Sequence, residues 1–325
     1  MRAVAVTKEH RLEVVELDDP SPAPGHVVVR VSACGICGSD LSLVGSRVIP
    51  PGSVLGHEAS GVIDLVGDGV DGLRAGDCVA INPFDACGEC GPCRAGAEQR
   101  CVNNAFTTIG LGLRPGAYAE RVEISASMAV AVDGSAPIEV ISVAEPLAVA
   151  LHGFNRSRFE PGMSVGVIGC GPIGLCAVIV ANVLGASRVW ASDINAFRAE
   201  LAGRVGAHEV GSSPKEADIV LDCAGAQGTV DLAVSAASGG GQVVIVAVNM
   251  KADTVYPLTW VTKEVDIVPV LAYTRAEYER CAQWIATGRV DVSPIVTRRV
   301  SLEETDEAFF GLIDGAAEGK VLVTP

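Results

Sequence analysis

Residues 164–193 read SVGVIGCGPIGLCAVIVANVLGASRVWASD. An apolar run ends at Ile168. Gly169, Gly171 and Gly174 follow in G-x-G-x-x-G spacing, and the apolar stretch Ile173–Ala186 continues as a buried helix too short to span a bilayer. A second apolar run, Arg188–Ser192, ends at Asp193, 24 residues after Gly169 and 19 after Gly174. Each glycine serves a physical need. Gly169 permits the tight turn, Gly171 lets backbone approach a pyrophosphate, and Gly174 allows helix and strand to pack closely. The helix N-terminus then offers unpaired N–H groups and a positive dipole end to phosphates. Strand, glycines, helix and acidic residue in this order predict a dinucleotide-binding βαβ unit. Pro172 and Ile173 inside the motif, and Ala224 further on, complete the expected cofactor contacts. Asp193 would accept hydrogen bonds from the adenosine ribose and repel a 2′-phosphate, which predicts NAD over NADP. Arg198 either covers the adenine or is a plain surface residue.

Working outward, the chain has two textures. From about 148 to 286 strands alternate with helices: Ser164–Ile168, Arg188–Ser192, Asp218–Leu221, Gln242–Val246 and Val265–Val270 read as strands of a doubly wound parallel sheet. Residues 1–147 instead carry short Val-rich runs between Gly and Pro turns (Leu12–Leu17, His26–Ser32, Gly61–Val66, Asp77–Ile81 and Tyr118–Ile124), an all-β, partly barrel-like pattern. After a helix at Arg275–Thr287, the tail from Asp291 returns to strand character and ends in Lys320–Thr324. We expect it to complete the first domain, giving 1–147 with 287–325 and 148–286 as the two units.

Four of the eleven cysteines, Cys87, Cys90, Cys93 and Cys101, fall within 15 residues. Four thiolates at this spacing suit one tetrahedral zinc with no open position, a structural site in a lobe at about 85–103. Four free thiols and an iron–sulfur cluster are the alternatives. The ferredoxin run has three residues before its last Cys and a Pro after it, whereas seven residues precede Cys101 and Val102 follows. Cys34, Cys78, Cys170, Cys176, Cys223 and Cys281 are expected to be small buried apolar residues.

CGICGSD (34–40), GHE (56–58) and AEPLAVALHG (144–153) are each modest signals. Together with CGECGPC, GCGPIG and the closing GKVLVTP, they resemble the zinc-containing medium-chain dehydrogenase/reductase family over essentially the whole chain, nearest its polyol, butanediol and aminocyclitol dehydrogenase-like branch. The resemblance implies a GroES-like β-rich catalytic domain joined to a Rossmann domain. It also implies a catalytic zinc held by Cys37, His57 and a carboxylate, with Glu58 and Glu145 both at ligand positions and either one serving directly or through water. Zinc would act as a Lewis acid on the substrate oxygen while hydride passes to the nicotinamide. Ser39 matches the hydroxyl that contacts that oxygen. Many relatives carry a His three residues beyond this position to end a proton relay, and here Ser42 stands instead. Asp40 is expected to hold the loop's backbone, and His152 to be a packing residue.

A formal net charge of −15 speaks against a nucleic-acid partner. The segment Met1–Leu17 lacks the unbroken apolar core of a signal peptide, so a cytoplasmic protein without membrane partners is expected. The apolar stretch Val265–Leu271 reads as an edge strand that could pair subunits into a homodimer or homotetramer. The function expected is oxidation of a secondary alcohol of polyol, sugar-alcohol or cyclitol type. The alternatives are an amino-alcohol or simple secondary-alcohol dehydrogenase (threonine 3-dehydrogenase-like) and a non-catalytic zinc- and NAD-binding regulator. Phe84, Phe106, Trp260 and Tyr273 are candidate pocket residues.

Overall fold

The computed structural model describes residues 1–325 except Gly112, Ser212–Pro214 and Met250, and without the side chains of Ala105 and Phe106; the pocket expectation for Phe106 therefore lies outside the described residues. Six strands form one parallel sheet in the spatial order Glu209–Gly211, Arg188–Ser192, Ser164–Ile168, Ala217–Asp222, Ala237–Ile245, Asp266–Pro269. Counted along this segment the order is 3-2-1-4-5-6, the doubly wound arrangement whose switch point lies between the first and fourth strands. The short Glu209–Gly211 strand is missing from the pattern reading, being too brief to show alternation. The helix after the glycines runs Pro172–Val183 and is buried from Gly174 to Ala181, which is why its sequence is apolar on every side.

The second sheet has seven strands. The His26–Gly35 strand is its centre and is paired with Glu58–Val66, Arg121–Ser125 and Lys320–Val323. Val296–Val300 pairs with Lys320–Val323 in parallel, and Lys320–Val323 pairs in turn with His26–Gly35, so residues from the chain's end lie beside residues from its start. The register places Gly35 opposite Glu58 on one side and Leu322 on the other, which brings the Lys320–Val323 strand close to Glu58. A separate hairpin, Arg2–Val6 with Leu12–Glu16, packs its apolar side into this sheet's core.

Cysteine burial departs from expectation at two positions. Cys34, Cys170, Cys176 and Cys281 are buried, but Cys78 is exposed and Cys223 only half-buried. Cys78 begins the Cys78–Ile81 strand before the sheet is covered, and Cys223 follows the last residue of its strand. Among the described residues, no helix is long and apolar enough to cross a membrane.

Candidate active site

Cys37 caps the N-terminus of the Gly38–Gly45 helix, just past the central strand. His57 and Glu58 stand at the start of the adjacent Glu58–Val66 strand. The turn before them needs glycine: Gly56 has φ +98°, and a Cβ there would strike the Tyr118 ring and the Cys34 sulfur. One ligand atom each from Cys37, His57 and Glu58 lies within 4.8 Å of the others, with His57 and Glu58 buried. Thiolate, imidazole and carboxylate at that separation fit a zinc ion and leave a coordination position open.

The surroundings orient these donors. Asp40 Oδ2 accepts hydrogen bonds from the Tyr118 hydroxyl at 2.7 Å and from the Cys37 backbone N–H at 3.2 Å. Its Oδ1 faces His57 Nδ1 at 3.3 Å. Asp40 thus holds the loop backbone as expected and also sets its second oxygen beside the His57 ring, which leaves Nε2 as the nitrogen facing Cys37 and Ser39. The Ser39 hydroxyl donates to Cys37 Sγ at 3.2 Å and lies 3.4 Å from His57 Nε2, at the mouth of the cluster. Ser42 Oγ instead donates to the Gly38 carbonyl of its own helix.

Lys320 was not anticipated. Its ammonium is buried and donates to Glu58 Oε1 at 2.8 Å, Glu58 Oε2 at 2.6 Å and the Ile36 carbonyl at 3.0 Å. The signal available was a lone lysine opening the otherwise apolar strand KVLV.

Glu145 lies in the first turn of the Ala144–Arg156 helix, buried but outside the three-residue cluster. Burial, and then the charge of Glu58, push its carboxyl up to about 7. Beside it lies the buried hydroxyl of Tyr273, which faces the Glu145 carboxyl. Phe84 packs edge-on against Tyr273 at 5.5 Å, so these two pocket candidates meet near Glu145. Trp260 does not join them: its Nε1 donates to Asp231, and it packs against the separate buried cluster that includes Ala233, Val234 and Val243. His152, on the same helix as Glu145, is a packing residue whose Nδ1 meets Glu277 at 2.9 Å.

Cys87, Cys90, Cys93 and Cys101 converge separately. Cys101 and Cys87 sulfurs are 3.5 Å apart, and those of Cys87 and Cys93 4.0 Å. Zn–S bonds of about 2.3 Å in a tetrahedron put sulfurs about 3.8 Å apart, so the lobe fits zinc. Backbone N–H groups of Cys93 and Val102 point at the Cys90 sulfur and lower its thiol pKa.

At the glycine motif, Gly169 has φ +87° and a Cβ there would collide with Ala224, while one on Gly174 would lie 1.8 Å from the Gly169 carbonyl oxygen. Nothing lies within 4 Å of a Cβ on Gly171, which leaves the helix N-terminus open to a ligand. Asp193 sits over this turn, accepting from the backbone N–H groups of Cys170 and Asn195, both at 2.7 Å. The Arg198 guanidinium donates to the carbonyls of Ala316 and Glu318.

Residues 23–134 match the family described as "Alcohol dehydrogenase GroES-like domain", and residues 172–287 match "Zinc-binding dehydrogenase". The chain belongs to the zinc-dependent alcohol dehydrogenase family. Its relatives fall in the polyol dehydrogenase-like branch. It is 32% identical to sorbitol dehydrogenase from Arabidopsis thaliana, over 93% of this chain and 89% of that one. Its structure is similar to that of galactitol-1-phosphate dehydrogenase from Escherichia coli, with a TM-score of 0.91, 29% identity and 100% of both chains covered. It is also similar to a protein from Sinorhizobium meliloti 1021 described as a zinc-binding dehydrogenase and bound to NADP, with a TM-score of 0.91, 31% identity, and coverage of 100% of this chain and 99% of that one. The protein is therefore a zinc-dependent alcohol oxidoreductase using a nicotinamide dinucleotide, with a GroES-like and a Rossmann part.

Proposed function

We propose that this dehydrogenase oxidises a secondary alcohol of polyol, sugar-alcohol or cyclitol type to a ketone, with NAD as hydride acceptor. The observation that carries the reading is the carboxylate-rich donor set: Glu58 and Glu145 are both buried near Cys37 and His57, with the Tyr273 hydroxyl facing Glu145. A substrate bearing several hydroxyls offers this polar, buried Glu145–Tyr273 pair further hydrogen bonds, which a simple apolar alcohol does not. Similarity to sorbitol and galactitol-1-phosphate dehydrogenases supports the same class.

In this reading Cys37, His57 and Glu58 hold a catalytic zinc, and Glu145 is a further carboxylate that serves it directly or through water. Cys87, Cys90, Cys93 and Cys101 hold a second, structural zinc. When bound, the catalytic ion supplies Lewis acidity toward the substrate's oxygen. Asp40 orients the His57 ring, and Ser39 accepts a hydrogen bond from the substrate hydroxyl and, as it takes that proton, passes its own on toward solvent. Ser42 is spent on its helix, so the proton leaves by a route other than a histidine at that position. Gly169, Gly171, Pro172, Ile173, Gly174 and Ala224 shape the pyrophosphate turn, and Asp193 receives the ribose hydroxyls, with Arg198 at the adenine end. Residues 1–147 and 287–325 form the catalytic domain and 148–286 the cofactor domain.

We further propose a homodimer or homotetramer. The Asp266–Pro269 strand has a neighbour on one side only, and Val248, Tyr256, Leu258, Val261 and Leu271 expose apolar surface near it. None of the eleven cysteines is in a disulfide, which suits the cytoplasm.

The test is NADH formation at 340 nm on a panel of polyols, cyclitols, diols and amino alcohols. The highest kcat/KM is expected on a polyol or cyclitol, and a preference for amino alcohols or monohydric alcohols would refute the substrate class. With the best substrate, NAD is expected to exceed NADP in kcat/KM by about tenfold or more, because a 2′-phosphate would meet the Asp193 carboxylate. Equal efficiencies would remove Asp193 from cofactor selection.

A further inference from the structure

Glu58 is an unusual metal-ligand candidate because both of its oxygens are already claimed. Lys320 Nζ is 2.8 Å from one and 2.6 Å from the other, and its third N–H goes to the Ile36 carbonyl. All three ammonium donors are spent. The pair is 2% and 1% exposed in its side chains, so water does not compete for either partner. Among the described residues Lys320 is the only buried lysine or arginine.

The fold makes room for this pair. Gly35 lies between Glu58 and Leu322 in the sheet register, and a Cβ on it would come within 2.1 Å of Glu58 Oε2 and 3.1 Å of Lys320 Cδ. A glycine here has no turn to serve, since its φ is not in the left-handed region. Its use is to clear the space through which lysine and carboxylate meet.

Charge gives the pair a purpose. Cys37 as thiolate, Glu58 and Asp40 surround the metal position with three negative charges, and Glu145 is a fourth acid nearby. A divalent cation among these would be over-neutralised and would lose its pull on a substrate oxygen. A carboxylate offers about four lone-pair directions, and two taken by an ammonium leave a weaker donor for the metal.

We infer that Lys320 is a positioning residue that holds Glu58 back, making it a weak, exchangeable ligand and preserving the Lewis acidity of the metal bound at Cys37 and His57. The inference rests on the metal-site reading given under Proposed function.

The test measures the rate at which the catalytic metal is lost to excess chelator, and the visible spectrum of the cobalt-substituted enzyme. Lys320→Met frees both Glu58 oxygens and should slow metal loss by about tenfold or more, similar in size but opposite in sign to the usual effect of removing a residue that orients a metal's ligands. The cobalt bands should shift with it. Lys320→Arg, which keeps the charge, should lose metal at nearly the wild-type rate. Adding Glu58→Gln to Lys320→Met should abolish the slowing. Lys320→Gln keeps side-chain volume and one pair of N–H donors; it carries the same expectation in smaller degree where the Met variant is insoluble.

A purely structural ion pair predicts the opposite, with metal lost faster from Lys320→Met or Lys320→Gln and no reversal by Glu58→Gln. That result, or an unchanged rate and spectrum, overturns the inference. Failure of the metal-site reading looks different: the wild-type protein would then bind a single metal per chain, or Cys37→Ala would still bind two.

Discussion

The four-cysteine lobe draws its sulfurs from 15 consecutive residues, whereas the Cys37, His57 and Glu58 cluster is assembled across the sheet and braced by Lys320, 262 positions beyond Glu58. The lobe has few other partners. Short turns at Gly91–Arg94 and Glu98–Arg100 curl it, and backbone N–H groups point at its sulfurs. The catalytic cluster is surrounded: Asp40 on His57, Tyr118 on Asp40, Lys320 on Glu58, and Gly35 and Gly56 clearing space. A lobe of this kind needs its metal to hold its shape, because little else is packed there. The catalytic site is held by the protein, which leaves the metal free for chemistry.

That difference is tested by removing one ligand from each. Cys37→Ala should lower turnover by about a thousandfold or more, since Lewis acidity is worth several kcal/mol at the reacting oxygen. Thermal stability should change little, and the lobe's zinc should remain at one per chain by atomic absorption. A large fall in Tm would mean that the catalytic metal also holds the fold. Cys101→Ser should do the reverse. It should lose the lobe's zinc and lower Tm by roughly 5–10 °C, while the folded fraction at 25 °C keeps most of its turnover. Unchanged stability would show that the lobe folds without metal.

The same contrast governs what was legible in the sequence. The lobe announces itself, since its ligands are neighbours with glycines between them, and so does the glycine turn, where Gly169, Gly174 and Asp193 keep fixed spacing along one βαβ unit. The family resemblance linked Cys37, His57 and Glu58 across gaps that spacing alone does not bridge, whereas Glu145, which it also named, lies outside their cluster. What escaped was long-range and register-dependent. Lys320 could be seen as a charge in an apolar strand, but its partner emerges only once Gly35 is known to pair with both Glu58 and Leu322. The contact of Asp40 with His57 escaped for the same reason, because three residues of separation from Cys37 suggest a local backbone role and nothing more. Cys78 shows a different limit. An apolar run marks a strand, but which end of it the sheet covers depends on neighbours that the run does not name.

The smallest effect should come from the scaffold behind Glu145. Glu277 ties the Ala144–Arg156 helix to the Arg275–Ala286 helix: its Oε2 meets His152 Nδ1 at 2.9 Å and accepts from Thr274, and its Oε1 accepts from Asn155 at 2.7 Å. Burial would raise this carboxyl, but the hydrogen bonds from His152, Asn155 and Thr274 outweigh it and bring the pKa to about 2. A carboxylate depressed in the folded state contributes stability above its unfolded pKa of about 4.3, and the contribution fades as pH falls from there through about 2. Discounted for partial solvent contact, it should be worth about 1–2 kcal/mol at neutral pH. Glu277→Gln should therefore lower the urea midpoint at pH 7 and at pH 5.5, and the gap to wild type should close as pH drops below 4. The lobe's zinc content at pH 7 should be the same in both proteins, because no ligand of that cluster lies on either helix. A gap that persists at pH 3 would mean that Glu277 acts by packing rather than by charge, and loss of the lobe's zinc at pH 7 would mean that the two regions are not as independent as their construction implies.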